Sequence, residues 1–116
     1  MNLPPLSNTQ ERVVILVNNE EVLLYLADTF GMKLSNKGVK YLADSIRQVA
    51  KNKRKAISFR TLYADIAKKY DTTYTAVERL MRYEVNKYVN DMCLSEFIFR
   101  QAIIINQKIK KEREEQ

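Results

Sequence analysis

The chain is predicted to fold as an all-α protein, a compact bundle of five to six helices that contains a helix-turn-helix. Three observations predict it. Helix breakers are scarce: the 116 residues include two glycines and two prolines, and Pro4 and Pro5 lie together near the start. Long stretches rich in Leu, Ala, Lys, Glu and Arg favour helix, and their apolar residues recur three and four apart. Finally, the segment Tyr63 to Arg82 places apolar residues where two short helices lock across a tight turn. Ile66, Ala67 and Tyr70 face inward from the first helix, and Val77, Leu80 and Met81 from the second. Asp71, Thr72 and Thr73 interrupt the pattern between them, and a threonine is a good N-cap for the helix that follows.

Residues 1–19 read as an N-terminal tail or arm. Within it, Arg12 to Val17 is a β-branched run that suits a strand, yet Thr9-Gln10-Glu11 and Glu20-Glu21 beside it resemble helix starts. A short helix or extended arm is the preferred reading; a strand would need a partner, such as the same segment of a second subunit. The helical domain is expected over residues 20–109. Its first helix, Glu20 to Phe30, carries Val22, Leu23, Leu26, Ala27 and Phe30 on one face, with Gly31 placed for a left-handed C-cap. Ser35 is expected to cap a second helix reaching about Ala50, with Val39, Leu42, Ala43, Ile46 and Val49 at core spacing. Lys51 to Lys55 forms a basic connector. Ser58 caps the next helix, where Phe59, Leu62, Tyr63, Ile66 and Ala67 repeat at three and four. The second helix of the motif spans about Tyr74 to Val89. Ser95 is expected to cap the last helix, apolar on Phe97, Ile98, Ala102, Ile105 and Ile109, which ends in a charged tail (110–116) expected to fray.

Composition narrows the function classes. One cysteine, Cys93, cannot form an internal disulfide, which fits a reducing cytoplasm. No apolar run approaches the ~20 residues of a membrane span, and the start lacks the pattern of a secretion signal. Histidine is absent, there is no Gly-rich phosphate loop, and one thiol cannot build a metal cluster. The chain is therefore not expected to be an enzyme, nor to take a metal or cofactor.

Charge points elsewhere. The net +6 is unevenly spread: Lys33 to Lys87 holds 14 Lys or Arg against 5 Asp or Glu, a surplus of +9, whereas residues 1–32 sum to −3 and residues 88–116 to zero. Concentrated positive charge selects a polyanion, because each phosphate neutralised releases condensed counterions. Here it coincides with the helix-turn-helix, a motif that lays its second helix in the DNA major groove. The outward set of that helix is Thr73, Tyr74, Thr75, Glu78, Arg79 and Arg82. Arg79 is the leading base reader, since guanidinium pairs in-plane with guanine N7 and O6; the plain alternative is an ion pair with Glu78 or Glu84. Glu78 either accepts from a cytosine amino group or orients Arg79 or Arg82. Arg82, one turn on, reaches a base or a phosphate. Tyr74 is read as the exposed, DNA-facing aromatic, and Thr75 as a further base contact. Lys68, Lys69, Thr72 and Thr73 are expected at the backbone, with Lys51, Lys53, Arg54, Lys55 and Arg60 as non-specific phosphate contacts. The last helix, through Phe97, Ile98, Ala102 and Ile105, either forms a dimer contact or packs within its own domain.

The run Leu62-Tyr-Ala-Asp-Ile-Ala-Lys-Lys-Tyr-Asp-Thr-Thr73, followed by Val77-Glu78-Arg79 and Arg82, resembles the DNA-binding effector domain of stage-zero sporulation protein A, the sporulation response regulator of endospore-forming Firmicutes. Lys37-Gly-Val-Lys-Tyr-Leu-Ala43 with Ile46 and Ser95-Glu-Phe-Ile98 extend the resemblance to about Glu20–Ile109. Three departures accompany it. The chain reads as a stand-alone effector without a receiver domain or its phosphorylation switch. The connection before Ser95 is short. The family's base-reading arginine ahead of Val77 is Ala76 here, a change worth roughly 1–3 kcal/mol of discrimination. The resemblance implies a sequence-specific double-stranded-DNA-binding protein, a small transcription regulator of a Firmicute, phage or plasmid, with a site related to the family's AT-rich box. Expected partners are double-stranded DNA, a second copy of the chain, and RNA polymerase or a host regulator, with no membrane and no small-molecule substrate. Ala76 and the short connection keep two alternatives open: a protein-interaction module, or a phage or plasmid DNA-processing accessory factor that keeps the fold.

Overall fold

The computed structural model describes residues 17–52 and 57–114, which form five helices: α1 (Asn19–Phe30), α2 (Lys37–Lys51), α3 (Phe59–Lys69), α4 (Tyr74–Tyr88) and α5 (Leu94–Glu114). The ambiguous segment 12–17 lies outside the described residues except for Val17, which is buried against the core. Local chemistry sets most of the boundaries. Asn18 and Glu21 form a reciprocal capping box at the start of α1. The helix ends at Gly31, whose φ of 82° is the left-handed cap predicted from the sequence. Ser58 and Thr73 cap α3 and α4 by accepting from the backbone N–H of Thr61 and Ala76.

Two predicted caps are displaced. Asn36, not Ser35, caps α2, its side-chain oxygen accepting from the Val39 N–H at 3.1 Å. Asparagine and serine serve equally well at this position, and the Asn36 N–H already turns back to the Lys33 carbonyl. In α5 the Phe97 N–H bonds the Cys93 carbonyl, so the helix begins at Leu94 and Ser95 lies inside its first turn. Burial of Leu94 draws that residue into the helical register. At its other end α5 continues to Glu114, with Lys110, Lys111 and Glu112 exposed.

The core gathers around α2, which packs against each of the other four helices. Val39, Leu42, Ala43, Ile46 and Val49 are buried as their spacing predicts, and they meet Leu26 of α1, Ile66 of α3, Val77 and Met81 of α4, and Phe97, Ile98, Ala102 and Ile105 of α5 in one apolar cluster. Tyr70 and Leu80, expected inward, are half-buried at its edge.

One close approach positions the reading helix. A Cβ built on Gly38 would lie 2.6 Å from the Leu80 carbonyl oxygen and 3.0 Å from Glu84 Cγ, so α2 meets the backbone of α4 where only glycine fits. In an open helix Gly→Ala stabilises by about 1 kcal/mol. Here the added methyl must push α4 away, and Gly38→Ala is expected instead to destabilise by about 1–3 kcal/mol, as overpacking does. A denaturant titration gives the sign directly.

Candidate nucleic-acid interface

The helix-turn-helix is built by backbone bonds that the sequence permits at three residues. The Tyr70 N–H closes on the Ile66 carbonyl and the Thr72 N–H on the Ala67 carbonyl, with Asp71 between them at φ 57°. This six-to-one closure with a left-handed residue is the usual way to end a helix sharply. Aspartate is among the few non-glycine residues that adopt the left-handed conformation readily. Thr73 then starts α4, so the reversal between the two helices takes only four residues.

A buried carboxylate holds this turn in place. Asp44 of α2 is fully buried and accepts four hydrogen bonds. Oδ1 takes Arg47 at 2.9 Å and Gln48 at 3.2 Å, while Oδ2 takes the Lys69 ammonium at 2.6 Å and the Tyr70 hydroxyl at 3.0 Å. Arg47 reaches on to Asn19 Oδ1 at 2.6 Å, tying in the start of α1. Burial by itself would raise the Asp44 pKa, but the donors from Lys69, Gln48, Arg47 and Tyr70 outweigh it and hold the carboxyl below its ordinary value. Burial and then the neighbouring Asp44 charge push the Tyr70 phenol up to about 12, so it remains a donor. Asp44 thus fixes the last residues of α3, from which the turn and α4 depart.

Lys69, expected at a DNA phosphate, donates to Asp44 and lies over the Tyr70 ring, 5.5 Å from the centroid, with its side chain 47% exposed. Tyr74 is less exposed than expected. Its ring packs against Tyr63 at 5.9 Å between centroids, and it is half-buried at the α3–α4 contact instead of projecting outward. Tyr63 itself is buried with its hydroxyl unpartnered among the described residues, and burial pushes its ionisation well above the usual range. The fill of this contact is aromatic, from Phe59 through Tyr63 to Tyr74.

The remaining outward residues are gathered on α4. Thr75, Arg79 and Arg82 are exposed and Glu78 is half-exposed. Glu78 pairs with Arg82 at 2.5 Å, and Glu84 pairs with Lys87 at 3.2 Å. Both acids that the sequence offers Arg79 as ion-pair partners are therefore engaged elsewhere, and Arg79 makes no ion pair or side-chain hydrogen bond among the described residues. A free guanidinium at the centre of an exposed helix face has its full fork of donors available. Thr73 spends its hydroxyl oxygen as an acceptor at the cap, and the Thr72 N–H is closed on Ala67. Lys68 is exposed at the end of α3, beside the turn. Arg60 is exposed at the opposite end of α3, and Lys51 ends α2, so neither is brought to the turn. Lys53, Arg54 and Lys55 lie outside the described residues.

The candidate dimer residues pack within their own domain, the second of the two alternatives. Phe97, Ile98, Ala102 and Ile105 lie at 0%, 0%, 2% and 1% exposure within their own core, so they have no surface to offer a second copy. Among the described side chains, the large apolar residues that α5 exposes are Phe99, Ile103 and Ile104. Sequence reasoning misses two further residues: Tyr83, among the described residues the most exposed of the large apolar and aromatic side chains, and Asn86, both on the outer face of α4. Helical spacing from Arg79 is the signal that points to them, at four and seven residues on.

The domain is all-helical, and its helix-turn-helix presents on an exposed helix face an arginine with no ion pair among the described residues, an arrangement suited to DNA. The chain belongs to the family described as sporulation initiation factor Spo0A C terminal, whose model matches residues 21–114. No curated protein and no solved structure gives a match. Among the described residues no helix is long and apolar enough to cross a membrane.

Proposed function

We propose that this chain binds double-stranded DNA sequence-specifically and acts as a small cytoplasmic transcription regulator, with α4 as its reading helix. The observation that carries the reading is Arg79, exposed and without a partner among the described residues, at the middle of the outward face. Thr75 lies one turn before it and Arg82 nearly one turn after. Glu78 is assigned here to orienting Arg82, because the two are already paired, and Arg82 contacts the backbone or a base from that held position. Lys68 supplies a phosphate contact beside the turn. RNA polymerase is the partner through which such a protein would act at a promoter.

Ala76 favours a shift of target within this reading. A methyl group makes no bidentate contact to guanine, so the discrimination that an arginine there supplies, roughly 1–3 kcal/mol, is missing. The preferred duplex is expected to depend correspondingly more on the base opposite Arg79. An electrophoretic shift on duplex fragments at two salt concentrations tests the function. Retarded bands that weaken steeply with salt, with some fragments preferred over others, are the expected result. Equal retardation of every fragment removes sequence reading, and no retardation at either salt leaves a protein-interaction module as the better account.

A further inference from the structure

The exposed face of α4 does not stop at Arg82. Thr75, Arg79, Tyr83 and Lys87 stand four residues apart, all exposed, and form one continuous ridge along the helix. Twelve residues of helix rise about 18 Å, whereas the major groove is about 12 Å wide. Helices of this motif read base edges with their N-terminal residues. A ridge of this length that reads with its N-terminal residues carries its far end toward the edge of the groove. Its last third, about 6 to 12 Å beyond Arg79, falls over the sugar-phosphate wall of the groove.

The two side chains at that end are held in place. Tyr83 is 61% exposed. The Lys87 ammonium sits 4.8 Å from the centre of its ring and donates to Glu84 Oε2 at 3.2 Å. Glu84 is itself buried, with its Cγ against Gly38 at the α2–α4 crossing. The carboxylate takes one of three ammonium donors, which leaves Lys87 able to donate outward while its position is fixed. The hydrogen bond to Glu84 also raises the Lys87 pKa above that of an ordinary lysine.

From this ridge we infer that Tyr83 and Lys87 form a second nucleic-acid subsite, binding a backbone phosphate at the edge of the groove that Arg79 enters. The Tyr83 hydroxyl and the Lys87 ammonium donate to its oxygens. The subsite adds affinity and sets the tilt of α4, but carries no base preference of its own. It rests on the DNA-binding reading proposed above.

The test uses the full chain, a preferred duplex recovered from a random-sequence pool, and a scrambled duplex, with affinity measured across a salt series. Lys87→Gln is expected to weaken binding to both duplexes alike and to lower the log–log salt slope by about 1, with Lys87→Arg restoring it. Tyr83→Phe, which leaves the Glu84–Lys87 pair untouched and guards against a folding defect, is expected to weaken both duplexes several-fold without changing the slope. An unchanged slope for Lys87→Gln, or an unchanged affinity for Tyr83→Phe, overturns the subsite. If Arg79→Ala meanwhile abolishes the preference between duplexes, only the subsite falls. Failure of the unaltered protein to bind any duplex overturns the DNA reading and the subsite together.

Discussion

Asp44→Ala is expected to destabilise the fold by about 3 kcal/mol. Removing one partner of a buried ionic cluster generally costs about 3–5 kcal/mol, because the opposite charge is left buried and uncompensated. The lower end applies because the Lys69 side chain is 47% exposed and can turn to water, as Arg47 can in part. The Tyr70 hydroxyl and the α3 terminus lose their anchor outright. Chemical denaturation of the two proteins measures the difference. The same carboxylate predicts a pH dependence. Its pKa is lower in the folded state than in the unfolded chain, so its contribution is complete above the unfolded value of about 4 and is lost as pH falls through the folded value. The unaltered protein should therefore lose stability below about pH 4 more steeply than Asp44→Asn. Parallel acid profiles would show that Asp44 is not held in its charged form by these donors.

Arg79→Ala is expected to leave stability unchanged and to flatten sequence preference. An exposed side chain with no partner contributes little to the fold, so melting temperature should not move. On DNA the loss is expected at about 1–3 kcal/mol against the preferred duplex, up to two orders of magnitude in affinity. The scrambled duplex should lose far less, since a single phosphate-range charge is all that it forgoes. Equal losses on both duplexes would reassign Arg79 to the backbone. Because Glu78 and Glu84 are already paired with Arg82 and Lys87, Arg79→Ala frees no acid to complicate the comparison.

Much of this architecture is legible along the chain because it is written in local rules. Helix α2 shows its core stripe in Val39, Leu42, Ala43, Ile46 and Val49. Gly31, Ser58 and Thr73 are local punctuation that needs no knowledge of the rest of the fold. What stays hidden depends on contacts distant in sequence. The Lys69–Asp44 pair joins residues 25 apart, and no residue near Lys69 in the chain betrays the pairing. Tyr74 looks outward by helical spacing alone; it turns half-inward because Tyr63 offers a ring to pack on.

The last helix shows a different difficulty. Phe97, Ile98, Phe99, Ile103, Ile104 and Ile105 place apolar residues all around α5, so periodicity does not say which face meets the domain. The structure buries Phe97, Ile98, Ala102 and Ile105 and leaves Phe99, Ile103 and Ile104 outside. Tyr83 is hidden by its residue type, since tyrosine in a helix is ordinarily read as core or core edge. Its exposure emerges only when the Gly38 crossing fixes the rotation of α4 about its own axis.

Selection of random duplexes by the unaltered protein tests the central claim, that α4 reads DNA, most directly. Repeated rounds are expected to enrich a common sequence, and replacing the selecting protein with Arg79→Ala should erase conservation at one base pair of that sequence while leaving its flanks. A pool that remains random after selection, or an enriched sequence that Arg79→Ala selects unchanged, would contradict the claim.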